Sequence, residues 1–222
     1  MTRVLHWVGV TCLFIAAVLL LVTTISSPVI GDIAILKVML TNSSDIRHSS
    51  VTFGSFGHCV LDVAPAQTDQ DYCYPKVIGY KPAAIMAEID HTTFSRAGTA
   101  TADALTNAFV LHPIACGLAF IATICAFGGI VGGLVSTIIA ILAWLITLVV
   151  MAIDFAAFGV IKKHVNHDGS GSHAYYSVGM WTTLAGMILL FIGMILVFFT
   201  CCSERRNRGK TGYKTGGRGR FG

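Results

Sequence analysis

Between Phe109 and Ile161 lie 53 residues with one formally charged side chain, Asp154. As a single helix rising about 1.5 Å per residue, this stretch would be about 80 Å long, against an apolar bilayer core of about 30 Å. It therefore crosses, turns and crosses again. Gly128, Gly129, Gly132 and Gly133 mark the turn, with one helix ending near Val131 and the next beginning near Leu134. Two further uncharged runs, Leu5 to Thr24 and Val178 to Thr200, each supply the roughly 20 residues a span needs. The first follows Arg3 as a signal peptide would. It is longer than a 7–15-residue signal core, however, and no A-x-A-like site follows it, so it reads as a retained span. The expected architecture is an all-α membrane domain over residues 1–200, with spans at about 5–26, 109–131, 134–160 and 178–200. A long loop, 27–108, and a basic tail, 201–222, complete the chain.

Composition excludes an ordinary soluble domain, because only 12% of the 222 residues are charged where about a quarter is usual. The net charge of +4 is a property of the tail. Residues 201–222 hold seven basic side chains and one acid, Glu204, which leaves the first 200 residues at −2. Arg205, Arg206, Arg208 and Lys210 lie close behind the last span, so the positive-inside rule places the C-terminus in the cytoplasm. Four crossings put the N-terminus there as well. Lys162 and Lys163 oppose this orientation but are outnumbered. The loop 27–108 then faces outward.

Its contents suit an oxidising exterior. Asn42-Ser43-Ser44 is an N-glycosylation sequon. Cys59 and Cys73 are the only cysteines in the loop and are expected to form a disulfide. Unpaired thiols suit that compartment poorly, and two cysteines alone are a poor metal site. Ile33–Val38, Val51–Phe53 and Val77–Tyr80 have strand character, which predicts a small antiparallel sheet pinned by the cysteines. Pro82 opens a short helix to Ile89, and Thr101–Ala108 extends the second span outward.

Gly54-Ser55-Phe56-Gly57-His58-Cys59, then Cys73, then Ile78-Gly79-Tyr80, set between a first and second span, resembles the G-x-W/F-G-x-C…C…I-G-Y signature of the fungal PalI family. That family comprises pH-response regulators and cortical eisosome relatives, and is distantly similar to animal claudins. Thr24–Ile30 and Asp154 with Phe155 and Phe158 add to a resemblance covering about residues 5–200. Phe56 stands where tryptophan is common, and the tail is shorter than in many filamentous-fungal members. The resemblance implies a claudin-like four-helix bundle with a small outer sheet. It also implies a non-enzymatic role at the plasma membrane, assisting a multi-span sensor of alkaline ambient pH. The alternative it leaves is a structural organiser of cortical membrane domains, either a short regulator or a paralogue.

The remaining polar and small residues carry two readings each. Asp154 inside a span calls for a partner, and His112 lies at similar depth on the second helix. Such a pair either serves packing or answers external pH. His48, His58, His91, His164, His167 and His173 face outward in this topology, and no metal set is assigned to them. Gly179, Gly186 and Gly193 recur every seven residues and line one face for close helix packing, which keeps a homo-oligomer open. Cys201-Cys202 at the inner end of the last span are candidates for palmitoylation, or else interfacial thiols. Gly216–Arg220 reads as a flexible basic tail and not as a nucleic-acid segment. No catalytic constellation, cofactor or metal is expected. A channel is disfavoured, because only Asp154 and a few threonines are available to line one.

Overall fold

The computed structural model describes residues 2–41, 49–61 and 71–216. Among them, four helical segments, 3–24, 98–126, 132–165 and 178–206, are long and apolar enough to cross a membrane. The first is α1 (Thr2–Thr24). Four strands follow: β1 (Leu36–Met39), β2 (Ser50–Phe53), β3 (His58–Leu61) and β4 (Tyr72–Cys73). Next come α2 (Pro82–Ile89), with Pro82 in its first turn, and α3 (Arg96–Thr106), capped by Ser95 Oγ accepting from Gly98 N at 3.2 Å. A 3₁₀ turn (Asn107–Val110) joins α3 to α4 (Leu111–Ala126), and the long α5 (Gly129–Val165) returns. The chain ends with β5 (His173–Tyr176) and α6 (Val178–Gly216).

The helices are apolar on every side, so much of their surface points away from the protein. Phe14, Ile124, Ile138 and Phe199 are all more than half exposed, as lipid-facing side chains are. Lipid tails are as apolar as leucine, so helices in a bilayer gain little from hydrophobic attraction and associate through close packing. The inner faces are accordingly small. Ala115, Ala119, Ala122 and Ala126 of α4 belong to one buried cluster with Ala140 and Ala143 of α5. Ser136 Oγ crosses between the two helices to donate to Ala122 O at 2.7 Å. Between α1 and α6 the approach is closer still. A Cβ on Gly193 would stand 3.0 Å from Gly9 O and 2.9 Å from Leu13 Cγ, and one on Gly9 would stand 3.0 Å from Leu196 Cβ.

The α4–α5 turn falls at Phe127 and Gly128, earlier than Gly132–Gly133, where the glycine pattern placed it. Gly132 lies inside α5, where a side chain would collide with Cys125 O. Gly133 faces Cys201 Sγ, at 3.0 Å from a notional Cβ. Gly132 therefore serves a contact within the hairpin, and Gly133 one with α6. The last helix also continues to Gly216, through most of the basic tail 201–222.

At the other end of the bundle, the head end, the five strands form one antiparallel sheet in the order β4-β3-β2-β1-β5. Expectation and structure agree on the first two strands and differ beyond them. Val77–Tyr80 is a turn, because Gly79 takes a left-handed φ of 72° and its Cα is pressed against Asn107. The strands around the cysteines, β3 and β4, supply that side instead. The far edge comes from the short loop before α6, where Asn166 clamps β5 by accepting from Ala174 N at 2.8 Å and donating to Ala174 O at 3.1 Å. The core under the sheet holds Ile35, Leu36, Phe53, Met86, Phe109, Phe158 and Met180.

The α1–α6 seam gives a paired test. Gly193→Ala forces a side chain against Gly9 O and is expected to cost about 1–3 kcal/mol. In Gly186→Ala the new methyl meets Leu20 at an ordinary 3.4 Å. That change is expected to be neutral or slightly stabilising, since alanine favours the helix. The thermal unfolding midpoints of the two variants in detergent check both.

Candidate functional site

The cysteine motif folds as a hairpin that sits on the end of α1. Gly54 N donates to Gly57 O at 2.9 Å, closing the β2–β3 turn. Gly54 lies so close to Ser27 that any side chain there would collide with the Ser27 backbone, and Gly57 packs on the Pro28 ring. Ser55 Oγ donates to Thr23 O at 3.1 Å, and Ser55 N to Ser26 Oγ at 3.1 Å. Phe56 contributes its carbonyl, which accepts from Val77 N at 3.0 Å. Cys59 and Cys73 are register partners on β3 and β4 and are joined by a disulfide.

Tyr80 locks this hairpin to the second span. Its hydroxyl donates to Gly54 O at 2.8 Å, while its own carbonyl accepts from Thr106 Oγ1 at 2.9 Å. The ring stacks parallel to Phe53. Burial, and secondarily the Asp154 carboxylate, hold the Tyr80 hydroxyl well above its ordinary pKa, so it remains a donor in alkaline conditions. Gly54, Phe56, Gly57, Cys59, Cys73, Gly79 and Tyr80 thus belong to one junction between head and bundle.

Beneath the junction, His112 of α4 and Asp154 of α5 meet, Nε2 to Oδ2 at 3.2 Å, with side chains 1% and 0% exposed. His112 Nδ1 lies 3.2 Å from Phe109 O. A carbonyl can only accept, so Nδ1 carries a hydrogen. The contact on the other side then needs one more proton, held on Nε2 or on Oδ2. In both arrangements the pair is neutral overall and holds that proton between two helices. Asp154 Oδ1 is buried with no hydrogen-bond partner among the described residues. Phe109, stacked on Phe158 at 5.4 Å, closes the site from the head side.

The other residues singled out from the sequence are dispersed. Gly179 packs on Ala34 O, Gly186 on Leu20, and Gly193 on Gly9 and Leu13. Their face is filled by this chain's own α1 and the segment after it. Cys201 is buried beside Gly133, whereas Cys202 is exposed. His58 is buried and stacked on Tyr74 at 4.2 Å, and burial lowers its pKa to about 4. His164 packs on Phe94 at 3.8 Å, His167 Nδ1 donates to Lys163 O at 2.8 Å, and His173 lies opposite Met39. His91 is exposed, with a φ of 50°. Asn42 and His48 lie outside the described residues, as do residues 217–222. Among the described residues no group of three or more His, Cys, Asp or Glu is placed to hold a metal.

Two features went unread in the sequence. One is the threonine cluster Thr23, Thr182 and Thr183, with Thr183 Oγ1 donating to Thr23 Oγ1 at 3.1 Å and Thr182 Oγ1 lying 2.9 Å from it, which ties α1 to α6 just below the hairpin. The other is His6, with Nδ1 3.3 Å from Thr200 Oγ1 and Nε2 3.2 Å from Ala126 O, which ties three helices at the opposite end. Threonines at the two facing helix ends were the available signal for the first.

A family model described as the SUR7/PalI family matches residues 3–207. No curated protein matches the chain.

Two expectations follow from the junction. Asp154→Leu strips His112 of its partner inside the bundle and is expected to cost about 3–5 kcal/mol, whereas Asp154→Asn keeps a hydrogen-bonding partner, its amide N–H able to donate to Nε2, and costs less. Thermal unfolding of the purified variants separates them. His58, neutral in the fold, titrates near 6.5 once unfolded. The stability it lends is therefore present above about pH 6.5 and lost as pH falls toward 4. His58→Gln should flatten that part of the midpoint-versus-pH curve and leave the alkaline side unchanged.

Proposed function

The chain belongs to the SUR7/PalI family, and from that premise we propose that it is a non-enzymatic plasma-membrane accessory protein that assists or stabilises a multi-span sensor of alkaline ambient pH. The head faces outward, with both termini in the cytoplasm. Exposed Arg205 and Arg206 at the far end of α6 support that orientation.

The observation that carries the reading is the buried His112–Asp154 contact beneath a head locked down by Tyr80. Removal of the shared proton would leave the Nε2 lone pair facing a carboxylate. If the remaining hydrogen moves to Nε2 instead, the Nδ1 lone pair faces the Phe109 carbonyl. One contact is lost in either case, and α4 and α5 lose a bond directly under the head. His58 cannot serve in this range, since it is already neutral, and the Tyr80 hydroxyl stays protonated.

Deleting the gene is expected to impair growth and target-gene induction at alkaline pH; an unaffected response removes the signalling role. Asp154→Asn retains the hydrogen-bonding shape but cannot share a carboxyl proton. It is expected to blunt the response at normal protein abundance. A full response in that variant reduces the pair to packing.

A second reading, a structural organiser of cortical membrane domains, is favoured by α6. This helix continues to Gly216, ten residues past the end of its apolar segment. A basic helix leaving the inner leaflet would hold anionic lipids by about 1 kcal/mol per close charge. Exposed Cys202, unlike buried Cys201, is presented for acylation there. A tagged copy distributed evenly over the cell surface would count against this reading. In the outward orientation Asn42 is the glycan acceptor, seen as an endoglycosidase-sensitive mass.

A further inference from the structure

A cavity of about 460 Å³ opens at the head end between the start of α3 and the end of α5, lined by Phe94, Gly98, Val160, Lys163, His164 and Asp168. Its walls are mostly apolar, but its polar groups are arranged for a ligand. The Asp168 side chain is 3% exposed. Oδ1 accepts from Ser170 N at 2.9 Å, while Oδ2 has no hydrogen-bond partner among the described residues. His164 Nε2 is in the same condition. The two atoms stand 4.0 Å apart, too far to bond each other and close enough to share a donor placed between them. Buried polar atoms left without partners are rare and mark missing ligands or water.

Two acceptor atoms so placed suit a cation with several N–H groups. Phe94, packed on the His164 ring at 3.8 Å, forms part of the apolar wall. Asp168 offers a buried carboxylate, and His164 Nε2 stands beside it. The 37-residue α5 ends at Val165, so the negative end of its dipole points the same way. Lys163 is exposed on the rim and suits an anion attached to the cation, while neighbouring Lys162 is engaged 4.3 Å over the Tyr176 ring. The apolar segments 98–126 and 132–165 end at Gly98 and Val165, so the cavity lies at the head-end limit of two candidate spans.

We propose that this cavity binds the ammonium of a phosphoethanolamine zwitterion, with Asp168 and His164 receiving its N–H groups and Lys163 its phosphate. Two sources share that chemistry, a phosphatidylethanolamine of the surrounding leaflet and the free head group. Trimethylation removes every N–H donor while keeping the charge, so phosphatidylcholine is the matched control.

The full chain, purified in detergent and delipidated, would be offered equal amounts of phosphatidylethanolamine and phosphatidylcholine, and retained lipid weighed by native mass spectrometry. The expected result is at least tenfold preference for phosphatidylethanolamine, lost in Asp168→Asn. If soluble phosphoethanolamine raises the thermal midpoint and the lipid shows no preference, the ligand is the free head group. Absence of both effects overturns the proposal, as does a preference that survives in Asp168→Asn. Should that variant fail to fold, Val160→Phe, which fills the cavity and leaves Asp168 in place, must lower retention at least fivefold.

Discussion

Everything at the head end depends on how closely α1 and α6 approach each other. In lipid there is no hydrophobic gain from bringing two apolar helices together, so contact distance decides association. Gly9 and Gly193 set that distance, and the threonines at the head end close the seam with hydrogen bonds. The end of α1 is thereby fixed against the start of α6, and Gly179 can lie against Ala34 O as the chain leaves for the sheet. The seat on which the cysteine hairpin rests is the end of that seam. A wider α1–α6 crossing would move Ser26 and Ser27 away from Ser55 and Gly54, and the hairpin would lose its anchor.

From that seat the structure builds sideways. The hairpin offers one carbonyl, Gly54 O, to a tyrosine held by the second span, and this joins the α1–α6 pair to the α4–α5 pair. The His112–Asp154 contact lies on the α4–α5 side of the same junction. Its burial is enforced from above by Phe109 and Phe158, so water does not compete for the proton it shares. The head is thus held by hydrogen bonds directly above a buried polar contact between α4 and α5.

Much of this was legible in the sequence, because membrane helices announce themselves by length and charge alone. The four crossings and the cysteine pair could be read directly, and so could the nearness of His112 and Asp154, since depth along a helix is simple arithmetic at 1.5 Å per residue. The hairpin turn was misplaced because the sequence has four glycines and no rule to say which one turns. Gly132 and Gly133 are there for contacts with Cys125 and Cys201, and contacts of that kind have no local signature. Val77–Tyr80 reads as a strand by composition, but the crowding of Gly79 by Asn107 is tertiary. β5 was missed for the same reason: its partner, β1, lies far back in the chain, and only the assembled bundle brings them together.

That last pairing has a consequence for biogenesis. β1 emerges behind the first span, yet its outer edge stays open until β5 arrives, just before the last. Until then the head carries an exposed strand edge, the kind of surface that pairs with other chains and aggregates readily. It closes when β5 pairs with β1. The sheet therefore acts as a completion mark: a chain that stalls after three crossings displays an unfinished edge, and one that inserts the fourth hides it.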